Sequence, residues 1–488
     1  MNVVEPILFQ CKLNPLATAI YVPGAPIESV SYGQLEKLIH NVAGSVLKAG
    51  LAPGQRVGIF VGEPILHAVL VISLMRLGIT TLSLRQSAGP KEIPLDAVLT
   101  DRSELYNNST TNVLRIDASW LEGPGHTLDY DGIHTTEEND LCCIILTTGS
   151  TGRAKGAAWL HRQFSEVLAT QRYSRGPRFA HCSRFLCDLG IPTGPGLRYV
   201  LALLGRGATV YFLGPQPADI LQIIDLHKIQ GMATSPYGLG EFMKFYEADS
   251  AFDTNFDHIT CQGALLSKEL SRRARARMCS NLYIGYGSTE TTAVTFGPAT
   301  LTDTVPGAVG FVLPGIRVEI VDNDGQILPP HQDGIVRIRT RYMASGYAND
   351  PESTAEYFRH GCFYSGDIGH VRNDGMLVIT GRMKTALNIG GDIINPEIIE
   401  EILTSFPGVE DAAVVAVPNE LGVNEIQVLF VAKSLVSVPS LRDHCAAKLS
   451  LNFVPVRFAS VQAIPRGAQG KIERPRLEQY AKTVLATK

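Results

Sequence analysis

The segment richest in chemistry runs Leu146-Thr-Thr-Gly-Ser-Thr-Gly-Arg-Ala-Lys-Gly156, where an apolar stretch ends in small, hydroxyl-bearing residues followed by a lysine. Small residues let backbone amides and hydroxyls approach phosphate oxygens, and Lys155 adds charge. The P-loop spacing is absent, because Gly149 and Gly152 stand too close together and Lys155 does not follow a glycine. A polar strand-to-helix turn would also account for the segment. A second group, Tyr283-Ile-Gly-Tyr-Gly-Ser-Thr-Glu-Thr-Thr292, sets an aromatic ring, hydroxyls and a carboxylate directly after an apolar run. Tyr286 is able to stack on a base, and Glu290 is able to hold a hard cation beside phosphates. A solvated turn is the plain alternative. A hydrolase elbow centred on Ser288 is excluded, since it needs glycine at 286 and 290, which are Tyr286 and Glu290. Further on, Asp367 could accept from both hydroxyls of a ribose, and Arg382 could supply fixed donors to ribose or phosphate. Lys471, in the glycine-rich stretch Pro465-Arg-Gly-Ala-Gln-Gly-Lys471, could be delivered into a cleft as a single cation. Taken one at a time, these three read first as surface charges.

Positioning such dispersed groups requires a large body. At 488 residues the chain is long enough for about three folding units at ~150 residues each. With 45% apolar and 18% charged residues it can bury sizeable cores. Ser31 and Gln34 have the spacing of a capping box, and Leu35, Leu38, Ile39, Val42 and Val46 then share one face, which predicts a helix ending near Gly50. Short apolar runs at Val57–Val61, Thr80–Leu84, Ala97–Thr100, Leu141–Thr147 and Thr209–Leu213 alternate with helical stretches such as Ile220–His227. This alternation predicts layered α/β subdomains with buried parallel strands. From Pro306 the texture changes to short strands at Val318–Val321, Ile335–Ile338 and Leu377–Ile379, predicting a small antiparallel or barrel-like β piece. The expected fold class is therefore α/β: a large domain over 1–381, then a small α+β domain over 382–488 joined by a short hinge at Arg382–Lys384.

A net charge of −4 offers no sequence-wide positive field for nucleic acid or anionic lipid. Ala68–Leu84 is too short for a membrane span and contains Arg76, so it reads as a core helix and strand. The opening residues lack the pattern of a signal peptide. Nine scattered cysteines point to reduced thiols and a cytoplasmic setting.

The order and spacing of these groups resemble the adenylate-forming superfamily of acyl-CoA synthetases, nonribosomal adenylation domains and luciferases. The resemblance covers nearly the whole chain, through Ala19-Ile20, Ser31-Tyr32, Gln262-Gly-Ala264, Gly346-Tyr347, Asp367, Gly381-Arg382, Gly390-Gly391, Pro396-Glu-Ile398 and Gly470-Lys471. It implies that Thr147, Thr148, Gly149, Ser150, Thr151, Gly152 and Lys155 hold the β- and γ-phosphates of ATP, Thr151 with a catalytic part. It further implies that Gly263, Ala264 and Tyr286, followed by Gly287, Ser288 and Thr289, form the adenine slot, and that Glu290 is the Mg²⁺ ligand. Asp367 resembles the ribose-binding aspartate, Arg382 its ribose or phosphate partner, Lys384 the hinge, and Lys471 the lysine that contacts carboxylate and α-phosphate during adenylation.

The implied activity is an acid-thiol ligase that forms AMP: an acyl-adenylate, then a thioester, with CoA or carrier-protein phosphopantetheine as the thiol. No protein nucleophile is needed, because AMP is the leaving group. Pro396-Glu-Ile398 resembles the acyl-CoA synthetase form and tilts the reading to CoA, with a stand-alone enzyme loading a separate acyl-carrier protein as the alternative. Rivals from other classes are a phosphate-loop kinase or NTPase, which would release ADP, and a silent nucleotide-binding protein. The acid's pocket is expected from Leu186–Pro192, Ser235–Gly238 with Tyr237, Leu265 and Thr291–Val294. Cys187 stands where many relatives carry histidine in a His-x-x-Gly pattern, and Asp188 could pair with a substrate amino group or merely cap a helix. His181, Cys182, Cys187 and Asp188 lack a known zinc spacing and are not read as a metal site.

Overall fold

The computed structural model describes residues 2–485 apart from 86–91, 107–110, 123–136, 138, 148–154, 175, 216–218, 250–251, 253, 384–386, 390–391, 419–423 and 468–469. Thr148 to Gly152, Lys384 and Gly390-Gly391 lie outside the described residues.

Two sheets build the large N-terminal part. The first runs Gly346–Tyr347, Lys155–Leu160, Leu141–Thr147, Thr80–Ser83, Arg56–Phe60, Ala97–Thr100 and Val113–Arg115. Its last five strands are parallel, and Lys155–Leu160 returns antiparallel to Leu141–Thr147, pairing Lys155 with Thr147. Ser31 caps the helix Tyr32–Lys48 with the reciprocal Gln34 contact, and Leu35, Ile39, Val42 and Val46 are buried at helical spacing. The helix Pro64–Arg76 is buried on nearly every side, so its apolar run serves the core. Among the described residues no helix is long and apolar enough to cross a membrane. All nine cysteines are buried and unpaired.

The second sheet has a parallel centre: Thr209–Tyr211, Arg184–Cys187, Gly231–Thr234, His258–Gln262 and Leu282–Ser288, in that spatial order. The three central strands, Arg184–Cys187, Gly231–Thr234 and His258–Gln262, are buried on both faces, as helix-covered parallel strands must be. The antiparallel piece expected after residue 306 continues this sheet edge to edge. Thr292–Pro298 pairs with Leu282–Ser288, and Ala308–Val312, Met376–Arg382, Cys362–Val371, Gly334–Thr340 and Ile316–Val321 follow in turn.

The smaller C-terminal domain is built on Val409–Pro418, Asn424–Ala432 and Arg457–Ser460. Alternation along its first strand serves two cores. Ala412 and Val414 face Ile399, Leu403 and Leu441, while Ala413 and Val415 face Leu477 and Ala481. A period of two thus lets one small sheet hold the helices Pro396–Thr404 and Val438–Ala446 on one face and Arg474–Leu485 on the other. Arg474 ties the faces together, donating to Glu400 at 2.8 Å and to the Val414 carbonyl at 3.0 Å.

Candidate active site

The carboxyl ends of parallel strands point their last residues into one crevice, the usual ligand position in open α/β sheets. Thr147 closes its strand, Asp188 follows Arg184–Cys187, Ser235 follows Gly231–Thr234, Gln262 closes His258–Gln262, and Tyr286, Gly287 and Ser288 finish Leu282–Ser288. The crevice is a cleft of about 1000 Å³ whose walls include Thr147, Lys155, Asp188, Tyr237, Gly263, Tyr286, Gly287, Ser288, Thr289, Glu290, Asp367, Arg382 and Lys471. Residues separated by hundreds of positions therefore share one space.

One corner is fully partnered. Asp367 and Arg382 are opposite each other on antiparallel strands, and Arg382 Nε donates to Asp367 Oδ1 at 2.6 Å. Tyr286 Oη donates to the other carboxylate oxygen. Asp367 is 3% exposed, so its charge is held by these two donors rather than by water. The neighbouring carboxylate holds Arg382 above the usual guanidinium range. Burial first, then Asp367, raises the Tyr286 phenol, which stays a neutral donor.

Glu290 is 6% exposed, and Tyr347 Oη donates to its Oε1 at 2.6 Å. Its backbone amide donates to Ser288 Oγ at 3.2 Å, while its carbonyl accepts from Ala344. No three His, Cys, Asp or Glu among the described residues cluster closely enough to hold a metal alone. Magnesium, however, usually takes one or two carboxylates plus substrate phosphates and waters. Glu290, a hard oxygen donor beside the Ser288 and Thr289 hydroxyls in the cleft wall, fits that mode. Lys155 Nζ lies 4.0 Å from the Tyr357 ring centre and 5.1 Å from that of Tyr347. The rings hold the cation at the cleft wall without neutralising it.

Lys471 arrives from the C-terminal domain. Water in the cleft reaches its side chain, yet the surrounding walls desolvate the ammonium and pull it down to about 8. Arg382 and Arg85 repel it, whereas Asp367 and Glu290 draw the charge the other way. Asp188 accepts from Thr234 Oγ1 at 2.6 Å, and burial raises its carboxyl.

Five expected contacts are corrected. Cys187 does not line the cleft: it belongs to the apolar core, its thiol lying 4.0 Å from the Gly196 carbonyl and pushed up to about 12 by burial. Strand alternation sends Cys187 inward and Asp188 to the crevice. Ala264 and Leu265 also miss the cleft wall. Gly263, at φ +99°, turns the chain outward, leaving Leu265 exposed and Leu266 buried. Leu186 and Val294, at the edges of the expected acid pocket, are core residues. The sequence reading missed Arg85, Phe242, Phe245 and Tyr357 as wall residues. Arg85 carried a usable signal, since it follows a predicted buried strand at its carboxyl end. The aromatic residues, at helical spacing, could not be told from core.

A family model described as AMP-binding enzyme matches residues 9–348, and one described as AMP-binding enzyme C-terminal domain matches 398–471. A fatty acid–[acyl-carrier-protein] ligase of Streptomyces coeruleorubidus is 27% identical, covering 98% of this chain and 96% of its own. A long-chain-fatty-acid–CoA ligase of Mycobacterium tuberculosis is 23% identical, covering 97% and 98%. The ATP-bound crystal structure of MatB from Rhodopseudomonas palustris superposes with a TM-score of 0.86 at 23% identity, over 99% of each chain, and so shares the fold. With a strand-end cleft in the large domain and a lysine entering it from the small one, the chain belongs to the AMP-binding enzyme family of the adenylate-forming superfamily.

Proposed function

We propose that this enzyme uses ATP to convert a carboxylic acid into an acyl-adenylate and then transfers the acyl group to a thiol, CoA in the reading we favour. One observation carries the proposal: Lys471 of the C-terminal domain shares a cleft with Glu290, Asp367 and Arg382 of the large domain. Attack of a carboxylate oxygen on the α-phosphorus forms the mixed anhydride and expels pyrophosphate, building negative charge on phosphate oxygens. Lys471, as an ammonium, offsets that charge and orients the incoming carboxylate. Asp367 and Arg382 fix the ribose, Tyr286 packs against the base, and Lys155 with Thr147 faces the distal phosphates. Mg²⁺ held at Glu290 would add a second positive charge there. In the second half-reaction a thiolate attacks the acyl carbon, the thioester forms, and AMP departs.

The large unit is assigned to 1–381 and the mobile one to 382–488, turning about Lys384 so that Lys471 withdraws before the thiol enters. Thr148 to Gly152, Thr151 included, are assigned to the phosphates. CoA is favoured by Pro396-Glu-Ile398 and by the names of CoA-ligase relatives; the carrier-protein ligase among the relatives supports the alternative thiol.

The test is an acid-dependent ATP–pyrophosphate exchange screen across alkyl, aryl and amino acids, followed by product analysis with CoA and with a phosphopantetheinylated carrier protein. AMP, pyrophosphate and an acyl thioester are expected. ADP as the nucleotide product would overturn the reading in favour of a kinase or NTPase.

A further inference from the structure

The hairpin that delivers Lys471 is braced within its own domain. Arg466 donates to both Asp411 oxygens at 3.0 and 2.6 Å and to the Gly470 carbonyl at 2.6 Å, while the Gly467 amide donates to the Lys471 carbonyl at 2.9 Å. Because Gly470 and Lys471 are adjacent and both are tied to this brace, a displacement at 470 carries to 471.

Its landing place is the helix Pro236–Ala248, whose start is fixed by Ser235 Oγ accepting from the Gly238 amide at 3.1 Å. Tyr237, Glu241 and Lys244 follow one face of that helix at i, i+4 and i+7. Gly470, at φ +73°, lies so close that a Cβ there would stand 2.1 Å from Tyr237 Cβ and 2.4 Å from Cγ. Further along, Lys244 sits 2.9 Å from Glu241 and 3.8 Å from Glu410 of the C-terminal domain. Tyr237, Phe242 and Phe245 of the same helix also line the cleft, where the proposed function places the acid.

We infer that Tyr237 is a positioning residue: it is the seat on which Gly470 rests, setting how far Lys471 enters the cleft, and it couples the acid-binding helix to lysine delivery. This rests on the adenylation reading above. Glycine at 470 meets two separate demands, a left-handed backbone and a missing side chain. Only the second involves Tyr237, and this makes the two separable by experiment.

The test needs no knowledge of the acid. The full-length protein is labelled with acetic anhydride with and without ATP and Mg²⁺, and acetylation is read at Lys471 and Lys155 by peptide mass spectrometry. In the parent protein ATP should protect both lysines at least tenfold. Gly470→Ala should reduce protection of Lys471 to below twofold while Lys155 stays protected. Tyr237→Gly added to Gly470→Ala removes the clashing atoms and should restore protection of Lys471 at least threefold; the backbone strain at 470 is common to both variants and cancels. Should Gly470→Ala not fold, Tyr237→Gly against Tyr237→Phe carries the test, since phenylalanine keeps Cβ and Cγ and should retain more protection of Lys471. Unchanged protection of Lys471 in Gly470→Ala, equal loss at both lysines, no recovery in the double variant, or equal values for Tyr237→Gly and Tyr237→Phe would overturn the seat. Absence of protection at both lysines in the parent protein would instead overturn the nucleotide reading.

Discussion

Two cations of the cleft wall, Arg382 and Lys471, are held in opposite ways. Arg382 is fixed by a buried carboxylate 2.6 Å away that also accepts from Tyr286, within strands that are part of the main sheet. Lys471 stands on a hairpin from another domain, resting on a glycine-to-tyrosine contact and desolvated by walls it does not belong to. A paired charge is fixed in place, whereas a charge without an ion-pair partner among the described residues is free to leave if its domain turns, as the proposed mechanism requires. In the proposed mechanism the ribose is gripped in both half-reactions, whereas the ammonium serves the first and withdraws for the second.

The sharpest way to break this contrast is Lys471→Ala. It should lower acid-dependent pyrophosphate exchange by ~10²–10³, the loss typical of one preorganised charge. Thioester formation from supplied acyl-adenylate should change no more than a few-fold, and equal losses in both assays would contradict the division. Asp367→Ala should act on both halves alike, weakening ATP about 10- to 100-fold through loss of two charge-assisted contacts. Titration calorimetry with ATP checks this, and a defect confined to the first half would erase the distinction between the two cations.

Acidity supplies the third test. The ammonium at Lys471 is pulled down to about 8, and it is the charged form that serves adenylation. Activity is thus present below that value and lost above it. The kcat/KM for exchange, which reports the free enzyme, should fall about tenfold per pH unit above the midpoint, while kcat should turn over at higher pH because bound triphosphate favours the charge. A flat profile to pH 10 would place the lysine outside the cleft. Smaller still, Asp188→Asn should alter the ranking of acids through KM by roughly 3- to 10-fold without lowering kcat, a change about the size of one hydrogen bond. Least of all, Lys244→Ala, which removes a solvent-exposed pair to Glu410, should cost under ~1 kcal/mol in domain docking and vanish in high salt.

Much of the molecule was readable in advance. The Ser31 capping box, the strand Leu141–Thr147, and the two-domain division follow from local spacing and apolar period, and they appear as expected. Motif spacing also singled out Glu290, Asp367, Arg382 and Lys471, and the fold gathers these four into one cleft. The acid side was less so. Cys187 and Asp188 are adjacent, and the alternation of a strand says that they face opposite ways without saying which way the crevice lies. Leu265 was misplaced for a related reason, since a single positive φ at Gly263 redirects everything after it.

By itself the sequence determined which groups could carry charge, hydroxyls and rings, and where the chain would turn helical or extended, because those depend on residue type and on neighbours a few positions away. Only the tertiary structure decided that Tyr237 meets Gly470, that Arg382 meets Asp367, and that Lys471 stands in the same cleft as Asp367 and Glu290. Such contacts depend on how sheets and domains pack across hundreds of residues, where no local period exists to be read.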